Sequence, residues 1–515
     1  MGLVLLLGVG FLLLSAFSLC RVIIKSHNSP LSELPEAGYG ASYSRLFWAF
    51  PREYRGTITL DLPKLHKKLG PLLRIGPNEV SFFSIEAYDA VHRVHGGFTK
   101  DPRTYGQFVQ DGHPALFSIT HPEEHVKRRR IMGQLYNRNK IHVLEGVMLR
   151  NIHNFVTALS QKTTCFEAGS ACRALEADII SDFSFGRPIQ ALEAWKDGLS
   201  IAMVQKNDEK ATWMPLLMNY PTIFSTWVNV EHFFRRSTSS SKASFYQGLS
   251  LFDQWTRNAW SDNFNKEAAL NLSTPNLIQT MVSSGVDKET ALSEAKENLG
   301  PGTDTTSGSL AHILFALSLN PVYQQKLYED LARAQFSTDL SVLENIPRLR
   351  AIVKEGIRWA GAASAMLPRI VPAGGIEIHG KFVPEGTVMT SSPIWYLRDE
   401  NEFPEPELFD PYRWIHEDGI TLRINAQRDR FYIPFSKGAN ICIGMHFSYY
   451  ELYLSISQLL TRCHVQLDED KAITAPAGYK AHHDWHLVQL PARKEWVAAV
   501  LDKGMFVKTI VRGAE

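Results

Sequence analysis

The sequence predicts a mainly α protein with a small β portion, built as a single large domain behind one N-terminal transmembrane helix. Three observations carry that expectation. The chain opens on an uncharged apolar run, helical apolar spacing dominates the residues after it, and strand-like alternation is confined to one short stretch near Ile376.

From Gly2 to Cys20, "GLVLLLGVGFLLLSAFSLC" carries no charge, and Arg21 and Lys25 follow. That is long enough to cross a bilayer as a helix. A cleaved signal peptide would place its charges before the apolar region and end on small residues, and neither feature is present. Basic residues on the C-terminal flank keep the rest of the chain cytosolic. The sequon Asn271-Leu272-Ser273 then faces the cytosol and stays unmodified. These readings divide the chain into an anchor at 2–24, a linker at 25–54 rich in Pro, Gly and Ser, and a catalytic domain at 55–515.

Within the domain, "HVKRRRIMGQLY", "LIQTMVSSG", "SLAHILFALSLN" and "YYELYLSISQLL" read as helices. "IEIHGKFVPEGTVM" alternates and is broken at His379-Gly380 and Pro384-Glu385-Gly386, which signals a hairpin. No repeat or second linker divides the 515 residues. Hydrophobic content of 44% with 21% charged residues fits an ordinary globular protein with a large core. A net charge of +1 gives no reason to expect nucleic acid. Five cysteines without a C-x-x-C pair suggest neither a disulfide framework nor structural zinc.

Four stretches carry chemistry. In "FSKGANICIG", Cys442 stands just ahead of a helix whose free N–H groups and positive dipole end favour thiolate, the metal-binding form. Gly438 permits a turn, Gly444 lets a flat object approach the backbone, and Phe435 shields the sulfur. Packing is the plain alternative for a free cysteine, and it accounts for Cys165, Cys172 and Cys463. In "VKEGIRWAG", Glu355 and Arg358 share a helix face; alone they are an ordinary ion pair, but with Arg413 of "FDPYRW" they can lock a loop through bidentate bonds. In "LGPGTDTTSGSL", in a helix expected to begin near Ala295, Asp304 and Thr305 sit where hydroxyls loosen a turn, able to hold water and pass protons, although capping is the simpler role for such residues. In "HPEEHVKRRRIM", His125 and Arg129 are four apart, either a solvated basic face or two cations reaching an anionic edge.

In this order and spacing the motifs resemble the cytochrome P450 family of haem-thiolate monooxygenases, along the whole chain. The resemblance implies haem b with Cys442 as axial ligand, framed by Phe435, Gly438 and Gly444. It implies Glu355, Arg358 and Arg413 as the network holding the cysteine loop, and Asp304 and Thr305 as the acid–alcohol pair that delivers protons during dioxygen activation. His125, Arg129 and Arg369 of "MLPRIVP" are implied as contacts to the haem propionates. Two departures stand out. Asn440 occupies a position usually basic, and Pro301 replaces a small residue and should accentuate a break in the distal helix.

With no dinucleotide fingerprint in the chain, electrons should come from a separate NADPH–cytochrome P450 reductase. The implied reaction is insertion of one atom of O2 into a small apolar organic substrate, most like fungal tailoring enzymes of secondary metabolism, at the endoplasmic reticulum membrane. Phe117 and Ser118 of "HPALFSIT", with Ala363, Ser364 and Met366 of "GAASAM", are the implied pocket. A reductase-independent isomerase or dehydratase, and a non-catalytic membrane-tethered haem-binding protein, are the alternatives.

Overall fold

Among the described residues the longest helix runs from Lys288 to Ser318. It starts where the Asp287 carboxylate accepts the Thr290 N–H at 2.9 Å, well before Ala295, so the helix begins earlier than its apolar stripe suggests. The helix passes through Pro301 without interruption, contrary to the expected break. Pro301 has no N–H for the preceding turn, but the Thr305 hydroxyl donates to the Pro301 carbonyl at 2.9 Å and the Ser309 hydroxyl to the Thr305 carbonyl at 3.0 Å. Such back-bonding keeps these hydroxyls satisfied within the helix.

The computed structural model describes residues 2–200, parts of 214–226, 240–264, 276–468 and 485–513. A 26-residue helix spans Gly2–His27, but most side chains before residue 13 lie outside the described set. Among the described residues no helix is long and apolar enough to cross a membrane. The sequon at 271–273 also lies outside them.

Two apolar cores organise the molecule. The larger packs the long helix against Ala168–Phe185, Pro347–Ala360 and Met445–Arg462. Gly356 makes one approach possible, since a Cβ there would overlap the Ile313 side chain of the long helix. The smaller core underlies a five-stranded sheet ordered Leu72–Gly76, Glu79–Phe82, Val388–Thr390, Arg369–Ile370 and Thr99–Lys100. The hairpin forms as expected, with Ile376–Ile378 paired to Lys381–Val383 across a turn at His379 and Gly380, both at positive φ.

The stretch read as a linker folds onto this core. Leu31, Leu34, Trp48 and Ala49 are buried there, and short helices at Pro30–Glu33, Arg45–Phe47 and Ala49–Arg55 replace the extended chain that its Pro and Gly content implied. Cys463 is fully buried at the start of a strand, Cys463–Leu467.

Candidate active site

The cysteine loop is built from backbone bonds. The Cys442 N–H donates to the Phe435 carbonyl at 2.9 Å, and Ile441 N–H to the Gly438 carbonyl at 3.1 Å. Gly438 has φ +70°, and a Cβ there would collide with the His92 carbonyl oxygen, so only glycine fits. Ser436, also at positive φ, shares a 2.8 Å hydrogen bond with Tyr88, and Lys437 pairs with Asp89 at 2.7 Å. The loop is thereby pinned to the helix Ile85–Val91. Phe435 is partly buried against Tyr449.

Cys442 is accessible to solvent, yet burial is the largest influence on its thiol and pushes it up. Opposing the burial, the N–H groups of Gly444 and Met445 and the charge of Arg129 favour the thiolate. These are the first N–H groups of the helix Met445–Arg462, whose N-cap is Gly444. Gly444 itself has an ordinary φ of −79°. A Cβ on it would project beside the sulfur, 3.8 Å from Sγ and 4.0 Å from Tyr136, so glycine leaves the face beside the sulfur clear.

The three residues proposed to lock this region do meet. Arg358 donates to both Glu355 oxygens at 2.8 Å and to the carbonyls of Leu397, Pro406 and Leu408 at 2.8–3.0 Å. Arg413 Nε reaches Glu355 at 3.3 Å, and the Asp410 N–H and Trp414 indole N–H each donate to it at 2.9 Å. Glu355 and Arg358 are 0% exposed, which removes the reading of a solvated surface pair. Burial alone would raise the Glu355 carboxyl, but the two guanidiniums and the hydrogen bonds outweigh it and hold it below the usual carboxylate range.

On the long helix, Asp304 and Thr305 point to different partners. Arg173 holds one Asp304 oxygen at 2.7 Å from Nη2 and 3.2 Å from Nε, while Thr305 turns back to Pro301. The next residue, Thr306, shares a 3.0 Å hydrogen bond with Ser448, which ties the long helix to the helix that follows Cys442.

A cluster of basic residues forms among those implied for the propionates. His125 is buried, and burial together with Lys100, Arg129 and Arg369 lowers it to about 3. Lys100, unforeseen from sequence, adds a further basic group beside them. It lies opposite Arg369 across paired strands, and burial plus the neighbouring Arg369 lowers it to about 7. No ion pair to Arg129, Arg369 or Lys100 occurs among the described residues.

Of the five expected pocket residues, Phe117 and Met366 line a cavity of about 120 Å³, with Tyr105, Phe108, Met214 and Val497. Ser118, Ala363 and Ser364 are not part of its wall. Ser118 is 3% exposed and bonded to Glu297, Ser364 is fully buried, and Ala363 is bridged to Ala498. Side-chain size in the sequence says nothing of such partners. Trp414 stood beside Arg413 in "FDPYRW" and was legible as a donor; Lys100 and Arg173 had no spacing signal, because sheet pairing and helix packing bring them in.

A family model, Cytochrome P450, matches residues 44–480. The chain is 26% identical over 430 residues to the cytochrome P450 monooxygenase hkm5 of Aspergillus hancockii, covering 79% of each chain. It is 25% identical to macH of Penicillium terrestre, over 85% of this chain and 88% of that one. It is 28% identical to oblB of Emericella variicolor, over 84% and 81% respectively. The fold and these matches define a haem-thiolate oxidoreductase. The chain belongs to the cytochrome P450 family and is a monooxygenase using O2 and NADPH-derived electrons, with haem as its cofactor.

Proposed function

We propose that Cys442 is the axial haem ligand and that the chain oxidises a small, largely apolar organic substrate by hydroxylation, epoxidation or multistep oxidation, as a tailoring step in secondary metabolism. The carrying observation is the exposed Cys442 sulfur with the N–H groups of Gly444 and Met445 directed at it. The donor set fits haem: one sulfur stabilised as thiolate, a glycine that keeps the adjoining face clear, and a cradle of buried cations suited to two carboxylates.

When bound, haem supplies the redox chemistry by which one oxygen atom of O2 enters the substrate and the other leaves as water, the thiolate favouring O–O cleavage. The protein does the rest. Arg129 and Arg369, with Lys100 beside them, neutralise the propionates, and neutral His125 offers a ring N–H. Asn440 leaves the charge to these residues. Glu355, Arg358 and Arg413 fix the segment ahead of the cysteine loop, and Phe435 covers the sulfur. Thr305 and Asp304 hold and pass protons from the long helix, Arg173 orienting Asp304. The cavity walls of Phe117, Met366, Tyr105 and Phe108 exclude water and orient an apolar body.

Electrons come from a membrane-bound NADPH–cytochrome P450 reductase, and the Gly2–His27 helix tethers the chain to the endoplasmic reticulum membrane with its domain in the cytosol. The test supplies full-length protein with reductase, NADPH and labelled O2, and assays polyketide and terpenoid scaffolds by mass. Reductase-dependent gain of one labelled oxygen is expected. A product isomeric with its substrate, formed without reductase, would favour an isomerase, and no NADPH or O2 consumption on any scaffold would favour a haem binder without turnover.

A further inference from the structure

The loop 115–118 is gripped from two sides by buried charged groups. Its N–H groups point at the long helix. Leu116 N–H donates to Glu294 at 2.9 and 3.0 Å, and Ser118 N–H to Glu297 Oε1 at 3.1 Å, while the Ser118 hydroxyl donates to Glu297 Oε2 at 2.6 Å. Its carbonyls point the other way, where Lys100 Nζ donates to Leu116 at 3.0 Å and Phe117 at 2.8 Å. Arg128 completes the Glu294 side with a 2.6 Å ion pair. Between the two grips the Phe117 ring faces the cavity, packed against Tyr105 at 5.2 Å and Phe108 at 5.0 Å.

We propose that Glu297, Ser118 and Lys100 clamp this loop so that Phe117 becomes a fixed orienting wall, making Glu297 a positioning residue for substrate selectivity. The inference rests on the haem-thiolate reading, because the wall matters only if a substrate is presented to haem. Glu297 and Glu294 stand one turn apart on the long helix, Glu297 one turn before Pro301, so the clamp references the cavity wall to the element that carries Asp304 and Thr305. Both Glu297 oxygens are engaged by Ser118, and the carboxyl is buried, so removing it leaves the Ser118 N–H unpaired and the Ser118 hydroxyl with only its 3.2 Å contact to the Ala115 carbonyl. The loop then loses the register that holds the Phe117 ring.

The test uses the full-length holoprotein and two probes that ligate haem iron, imidazole and 4-phenylimidazole, followed by spectral titration. Imidazole needs no cavity wall, whereas the phenyl ring does. Glu297→Ala should weaken 4-phenylimidazole about tenfold, the scale of one lost charge-assisted bond, and leave imidazole within about twofold. Hydrogen exchange should quicken at the Ser118 amide, while Leu116, still held by Glu294, keeps its protection. Ser118→Ala, a milder change if Glu297→Ala does not fold, should move 4-phenylimidazole in the same direction by about threefold. Equal affinities for both probes in wild type and variants, with unchanged exchange, would overturn the clamp alone. Failure of both probes to perturb the wild-type spectrum would overturn the haem reading and this inference with it.

Discussion

Lys100 and Arg369 stand directly opposite each other on antiparallel strands, and both are buried. Like charges in that register destabilise a sheet unless an anion lies between or beside them. On the proposed reading the haem propionates supply one, so these residues should govern haem retention. Arg369→Ala and Arg129→Ala each remove a charge-assisted bond worth about 1.5–3 kcal/mol. Haem transfer to apomyoglobin should therefore quicken on the order of 10- to 100-fold, with the folded domain otherwise intact.

Breaking the buried network should do more than loosen a loop. Glu355→Gln leaves Arg358 and Arg413 without their counter-charge in a fully buried setting. Removing one partner of a buried pair costs about 3–5 kcal/mol. Denaturant titration should show that loss, together with poor haem incorporation. Trp414→Phe, which deletes only the indole donor to Glu355, should cost about 1.5–3 kcal/mol.

Stability should also fall as pH rises through neutrality. Glu176 and Glu451 are buried carboxyls on facing helices; burial first, then their mutual repulsion, raises Glu176 far above the usual range, and burial raises Glu451. Together they are stable only while they share a proton. A carboxyl whose folded value is raised contributes stability fully below the unfolded value near 4.5, and loses it as pH climbs through the folded value. Glu297, pushed up to about 7 chiefly by burial, adds the same sign. Urea midpoints measured from pH 5 to 8 should decline, and Glu451→Gln should flatten the slope and stabilise the protein at pH 8.

Proton delivery has its own signature. Thr305→Ala should leave the haem spectrum unchanged while diverting NADPH-derived electrons to hydrogen peroxide, as the ratio of peroxide formed to NADPH consumed will show. Unaltered coupling would remove Thr305 from the mechanism. Arg173→Leu, which removes the guanidinium contacts to Asp304, should slow turnover and shift its pH profile without changing that ratio as strongly.

Much of this was legible in the chain itself, and the reasons differ by residue. The Glu355–Arg358 contact and the Gly438 turn were legible because they are local: an i,i+3 pair and a turn at positive φ survive as sequence spacing. Arg413 required matching two distant stretches, which the family motifs allowed. Lys100 and Arg173 were invisible, since their partners are set by strand register and helix packing across long separations. Residues 25–54 misled because Pro and Gly content signals a lack of regular structure, not a lack of burial; Leu31 and Trp48 were the apolar anchors to weigh. Ser118 misled in the opposite way, as a small polar residue near a pocket whose hydroxyl was already taken by Glu297.

The most direct measurement is the carbon monoxide difference spectrum of the reduced full-length protein beside Cys442→Ser. Thiolate ligation predicts a strongly red-shifted band in the wild type that the serine variant lacks. Identical spectra from the two proteins would contradict the assignment of Cys442 as the ligand.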